Sequence, residues 1–200
     1  MIFEHIYILN RALDGKDIYS MPSFKQLQHT EMSVLLYKDS LIDMGILKSH
    51  SEFTEKGVQL TQCILEYKNA KKYVKVLDIV FGIIDETKAV MLAAVDNDYT
   101  FSLVNINDAA EQLMSIYKFL CLSCSVEAEG ISLNPNELLE KFNFNSKNSF
   151  NLITKQNGET TSEIFYSDGS SIFVYDCIDN VLYTKSSKSV VLLLSERMAV

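Results

Sequence analysis

Four cysteines and three histidines are the residues with the widest chemical repertoire in this chain. Cys121-Leu122-Ser123-Cys124 forms a CxxC pair, while Cys63 and Cys177 stand alone. Thiolates at that spacing serve as half of a zinc site or as a dithiol redox centre. A structural zinc needs four ligands, and His5, His29 and His50 lie in unrelated segments. A thioredoxin-like centre opens a helix after a strand, whereas this pair follows a helical pattern. The cysteines therefore read as reduced thiols packed as small hydrophobes.

Nucleophilic catalysis finds no better footing. No serine or cysteine stands in a GxSxG-type elbow. His5 lies on an expected strand, His29 on a helix near Glu31 and His50 in a polar loop, so no nucleophile, base and orienting group are grouped in the sequence. Acidic pairs at expected turns (Asp85-Glu86, Asp96 with Asp98, Asp176 with Asp179) lack the spaced oxygen ligands and the glycine of a calcium loop. They read as solvated turn residues. The expectation is a protein without catalysis, cofactor or metal.

The elements that carry these residues follow from periodicity. Residues 2–9 alternate as a strand that is apolar on both faces. A loop with Asp14-Gly15 and Pro22 leads to a helix from Ser23 to about Leu47, with Leu27, Val34, Leu35, Leu41, Ile42 and Ile46 at helical spacing. Thr54 caps a second helix. Strands are expected at 73–84, 89–96 and 99–106, then a helix from Asn107 or Asp108 to Leu120. Residues 121–133 fit no element clearly. Asn134-Pro135 opens a short helix, and 145–149 is a loop. Strands follow at 150–156, 162–167, 171–176 and 180–184. The stretch 188–198 reads as helix, with Val190-Val191 leaving a strand open.

Composition narrows the class. The chain has 200 residues, 48% of them apolar, enough for a real core. It has 18 basic residues against 26 acidic, with no basic segment, which argues against nucleic acid and anionic lipid. No apolar run approaches the ~20 residues that span a bilayer, and the N-terminus lacks the features of a signal peptide. A cytoplasmic location without membrane insertion is expected.

Residues 41–60, LIDMGILKSHSEFTEKGVQL, resemble the wing region of winged-helix transcription regulators. On that alternative, residues 25–65 would bind DNA. The preceding helix departs from the pattern, since Lys25 and Lys38 are outweighed by Glu31, Asp39 and Asp43.

A second pattern covers more of the chain. KAVMLAAV-DND-YTFSLVNI-NDAAEQLMSIYKFL and SSIFVYD-CIDN-VLYTK-SSKSVVLLLSERM share an order of strand, turn, strand and helix. The expected fold is thus α+β, one domain with a largely antiparallel central sheet flanked by helices. Two pseudo-symmetric meander–helix units would occupy about 1–120 and 121–200. With Met44-Gly45-Ile46-Leu47 and KYVKVLDIVFG, these segments resemble the EspG-type chaperones of type VII secretion systems and their low-GC Gram-positive relatives. Those proteins begin with a strand, pass a helical region and repeat a meander and helix about a pseudo-two-fold. The resemblance implies a cytosolic, ATP-independent chaperone that keeps a helical secretion substrate soluble, such as an LXG-type toxin targeting region. Two departures stand out: a short connection at Asp85-Glu86-Thr87-Lys88 and a short C-terminal helix.

One cluster is a candidate partner surface. Leu138, Leu139, Phe142 and Phe144 fall within seven residues, more apolar surface than a short helix needs for its own packing. Either all four are buried in the second unit or part of the cluster faces a groove and anchors the partner.

Overall fold

The computed structural model describes residues 1–26, 30–145 and 147–199. The chain opens with a helix, not the strand expected over residues 2–9. This helix, α1 (Phe3–Arg11), buries His5, Ile6, Ile8 and Leu9. The segment is apolar at so many positions that periods of two and of 3.6 both fit it. Contacts with the later helices favour the helical option.

The long helix expected from Ser23 is also shorter. One 3-10 turn covers Phe24–Gln26, Leu27 and His29 lie outside the described residues, and α2 spans Glu31–Asp43. Thr30 caps α2 by accepting from the Ser33 amide. Gly45, at φ 67°, turns the chain out of the helix. The SHSEF segment, a poor strand by composition, forms a small hairpin of β1 (Leu47–Ser49) and β2 (Glu52–Phe53). Thr54 then caps α3 (Glu55–Lys68) as expected.

Four strands follow where three were expected: β3 (Lys72–Val76), β4 (Ile79–Ile83), β5 (Lys88–Val95) and β6 (Asp98–Asn105). Residues 73–84 divide because Leu77, at φ 52°, reverses the chain. After β6 comes α4 (Ile106–Ile116), which gives way to a 3-10 turn at Lys118–Cys121 instead of running to Leu120. The unassigned middle contains β7 (Ala128–Ser132), and α5 (Pro135–Lys141) begins at the expected Asn134 cap. The second meander is β8 (Ser149–Gln156), β9 (Glu159–Ser167), β10 (Ile172–Asp176) and β11 (Val181–Lys185). The chain closes with α6 (Ser187–Met198), a helix capped by Ser186.

The α+β class with a central antiparallel sheet is what the structure shows. Nine strands run in the order β6-β5-β4-β3-β8-β9-β10-β11-β7, all neighbours antiparallel. From the central β3–β8 pair, each half runs outward as a consecutive four-stranded meander. A topological two-fold axis therefore passes between β3 and β8, where Val74 faces Thr154.

The helices give the sheet unequal faces. Both meander-ending helices, α4 and α6, pack on one face over Val74, Phe81, Leu152, Phe165 and Val174. On the opposite face, α1, α2 and α3 cover the first meander around Leu41, Ile64, Tyr67 and Val90. Among the described residues, the helix that covers the second meander there is α5, over Tyr175 and Leu182.

Candidate partner-binding surfaces

The thinly covered second meander holds the apolar cluster singled out in the sequence. A capping box builds α5: Asn134 accepts from the Asn136 and Glu137 amides, while the Glu137 carboxylate accepts from the Asn134 amide. That fixed start aims Leu138 into the sheet, where it is 3% exposed beside Tyr175 and Leu182. Leu139, one position on, is 67% exposed and faces away from the cluster.

Phe142 and Phe144 do not lie on the helix, which ends at Lys141. The chain there is extended and folds back over the strands. The Phe142 ring lies 5.0 Å from Tyr166 and 5.2 Å from Phe173, and Phe144 lies 5.0 Å from Tyr166. Both phenylalanines are half-buried. The structure thus unites Leu138, Phe142 and Phe144 in one satellite core and leaves Leu139 outside it. Beside Phe142 opens a cavity of about 470 Å³, floored by Tyr166, Phe173 and Leu182 and edged by Ile131, Lys141 and Asp168. Aromatic floors with a charged edge suit an apolar side chain of a partner.

A second surface was not recognised in the sequence. Of the thirteen residues of α2, Leu41 is the buried one, while Met32, Leu35 and Leu36 are 76%, 47% and 64% exposed. Their i, i+3 and i+4 spacing forms a stripe on the solvent side, continued by exposed Asp39 and Asp43. The clue lay in apolar residues on both sides of the helix, with Leu41 and half-buried Val34 opposite the stripe.

The wing-like hairpin is built from the residues that resembled one. The Thr54 hydroxyl donates to the carbonyls of Gly45 (2.8 Å) and Ile46 (3.0 Å) and accepts from the Gly57 amide (3.1 Å). Its cations are turned to local partners. Lys38 donates to the His50 carbonyl at 2.8 Å, Lys56 to the Met44 carbonyl at 3.0 Å, and Lys48 pairs with Glu52 at 3.6 Å. His50 Nε2 lies 2.6 Å from an Asp39 carboxylate oxygen.

The thiols are dispersed. Cys121 is exposed at the 3-10 turn after α4, Cys124 is buried, and both are free, as are Cys63 and Cys177. Burial pushes the thiol pKa of Cys63 and Cys177 up, away from the thiolate that metal binding or redox exchange requires. Among the described residues no group of three or more His, Cys, Asp or Glu side chains could hold a metal ion. Among them, too, no helix is long and apolar enough to cross a membrane.

No curated protein matches the chain. A family model described as a domain of unknown function, DUF5081, matches residues 2–186, so both meanders fall within it. The chain belongs to the DUF5081 family.

Proposed function

We propose that this protein is a non-catalytic chaperone or adaptor of the cytoplasm. It holds a helical secretion substrate, of the kind exported by type VII systems, and keeps it soluble until export. The observation that carries the reading is the paired meander, each half ending in a helix on the same face, in the order of the EspG-type chaperones. The apolar surfaces add to it. A helical substrate awaiting its own partners exposes an apolar stripe, and the Phe142 groove and the α2 stripe offer matching cover.

The N-terminal helix departs from that family's opening strand, and the β4–β5 connection is tight. Asp85 there accepts from the Thr87 and Lys88 amides at 2.8 and 2.9 Å, which leaves no long gripping loop. The partner surface therefore differs from that of the mycobacterial members.

The β1–β2 hairpin favours the winged-helix reading locally. Against it stands the solvent face of α2, where a recognition helix would need cations and this one presents Met32, Leu35, Leu36, Asp39 and Asp43. Phosphate contacts supply most non-specific DNA affinity, and that face offers none.

Co-expression with the products of neighbouring genes, followed by affinity pull-down, tests the chaperone. A stoichiometric complex with a helical secreted protein or a toxin targeting region is expected. A mobility shift on the gene's own upstream DNA, weakened by salt and unaccompanied by any such complex, would establish the regulator instead.

A further inference from the structure

One hairpin turn departs from its counterparts at an energetic cost that the core does not recover. The β5–β6 turn uses Asp96 and Asn97 at φ 48° and 67°, and the β8–β9 turn uses Asn157 and Gly158 at φ 52° and 86°. Those residue types tolerate left-handed backbone, which is why two-residue hairpins select them. The topological two-fold places Leu77 where the second meander has Asn157. Leu77 adopts φ 52° as well, a strained setting for a bulky side chain, yet is 53% exposed. Burial does not offset the strain.

Leu77 has exposed apolar company. Val95 at the end of β5 is 67% exposed, and Ile116, the last residue of α4, is 57% exposed. With Ile79 and Tyr117 these three line a cavity of about 370 Å³, where α4 stops and leaves the sheet end uncovered. The charged residues among its described lining are Asp78 and Asp96, both carboxylates.

We propose that this pocket docks a partner polypeptide that presents an apolar ridge flanked by lysine or arginine. The ridge would seat among Leu77, Val95 and Ile116, and its cations would meet Asp78 and Asp96. The acidic edge and the formal charge of −8 disfavour an anionic lipid surface. They equally disfavour a second copy, which would bring its own negative field. The site lies on the sheet face opposite the Phe142 groove, so it is independent of what that groove binds.

Fluorescence anisotropy with two labelled synthetic helices of about 18 residues tests this. Both carry one leucine stripe, flanked by lysines in one peptide and by glutamates in the other. Saturable binding of the lysine peptide is expected, at least about tenfold tighter than the glutamate peptide. Leu77→Gly and Ile116→Ser should each weaken it by about tenfold or more. Asp78→Asn with Asp96→Asn should erase the preference between the peptides. Leu77→Gly should melt at or above wild type, since glycine accepts this backbone. Equal binding of the two peptides, or variants that bind like wild type, would overturn the proposal. So would a fall of more than about 5 °C in Tm for Leu77→Gly, which would make the side chain structural. A wild-type dimer in sedimentation equilibrium that Ile116→Ser dissolves would assign the pocket to a second copy and also overturn it.

Discussion

Arg197 of α6 grips Glu163 of β9 with two parallel hydrogen bonds, Nε to Oε2 and Nη2 to Oε1, each 2.7 Å long. Glu163 is 4% exposed on the face that α6 covers, so the guanidinium is what makes its charge tolerable there. Lys72 helps at the end of the same helix, donating to the carbonyls of Glu196 (3.3 Å) and Ala199 (2.6 Å). Arg197→Met should cost about 3–5 kcal/mol, because it strands a buried carboxylate. The double variant Arg197→Met with Glu163→Leu should recover most of that loss. Denaturant unfolding measures both. A double variant as unstable as the single one would show that side-chain packing, not the ion pair, holds α6 down.

His5 makes the N-terminal layer sensitive to acid. It is 6% exposed, neither ring nitrogen has a hydrogen-bond partner among the described residues, and the ring stands edge-on to Tyr37 at 6.2 Å. Burial holds its pKa below the usual 6.5, helped by the N-terminal ammonium and opposed by Glu4 and Asp98. The unfolded chain takes up a proton near pH ~6.5, the folded one at lower pH. Between those values the unfolded state binds more protons, so stability falls as pH drops through that window and is complete above it. Wild type should lose more Tm between pH 7 and 5 than His5→Phe. Parallel losses in the two proteins would remove His5 as the cause.

The satellite core separates stability from binding through Leu139 and Phe142. Phe142 touches Tyr166 and Phe173, so Phe142→Ala should cost roughly 2 kcal/mol, about half of a full core truncation. Leu139→Ser removes an exposed side chain and should leave stability within about 0.5 kcal/mol. Thermal unfolding of both, followed by pull-down of the substrate, distinguishes the roles. A large loss of Tm in Leu139→Ser would mean that α5 packs more deeply than its exposure indicates.

What could be read from the sequence was local, and what could not depends on distant partners. Thr54 and Asn134 announce α3 and α5 because a cap satisfies amides within its own first turn. The Asp96-Asn97 and Asn157-Gly158 turns are equally self-contained. Leu77 gives no such signal, and so β3 and β4 merged into one expected strand. Strand β7 is exposed at all five positions and has no alternation to detect; it pairs because β11 offers an edge, with Leu182 opposite Ile131. The Phe142 cluster was visible as composition. Its division into a buried Leu138 and an outward Leu139 depends on a distant partner, since Leu138 packs against Tyr175 and Leu182 while its neighbour on the helix stays exposed. Leu35 shares the expected helical spacing with Val34 and Leu41 yet is 47% exposed, because spacing marks an apolar pattern but not which side of the helix meets the core.

Gly57 tests how rigidly the hairpin is bound to α3. A Cβ there would clash with the Ile46 carbonyl oxygen and sit 3.0 Å from the Phe53 ring. The same oxygen accepts from the Thr54 amide at 3.1 Å and from the Thr54 hydroxyl at 3.0 Å, so it cannot withdraw without breaking the joint. Alanine would ordinarily gain about 1 kcal/mol over glycine inside a helix. Overpacking against backbone should more than cancel this, for a net loss of about 1–3 kcal/mol in Gly57→Ala. Val58, the next residue, is 57% exposed, and Val58→Ala should be near neutral in the same assay. Hydrogen exchange should also quicken at the paired Leu47 and Phe53 amides in Gly57→Ala while the β8–β9 ladder stays protected. A Gly57→Ala protein that melts at or above wild type with unchanged exchange would mean that the hairpin yields freely to the added methyl.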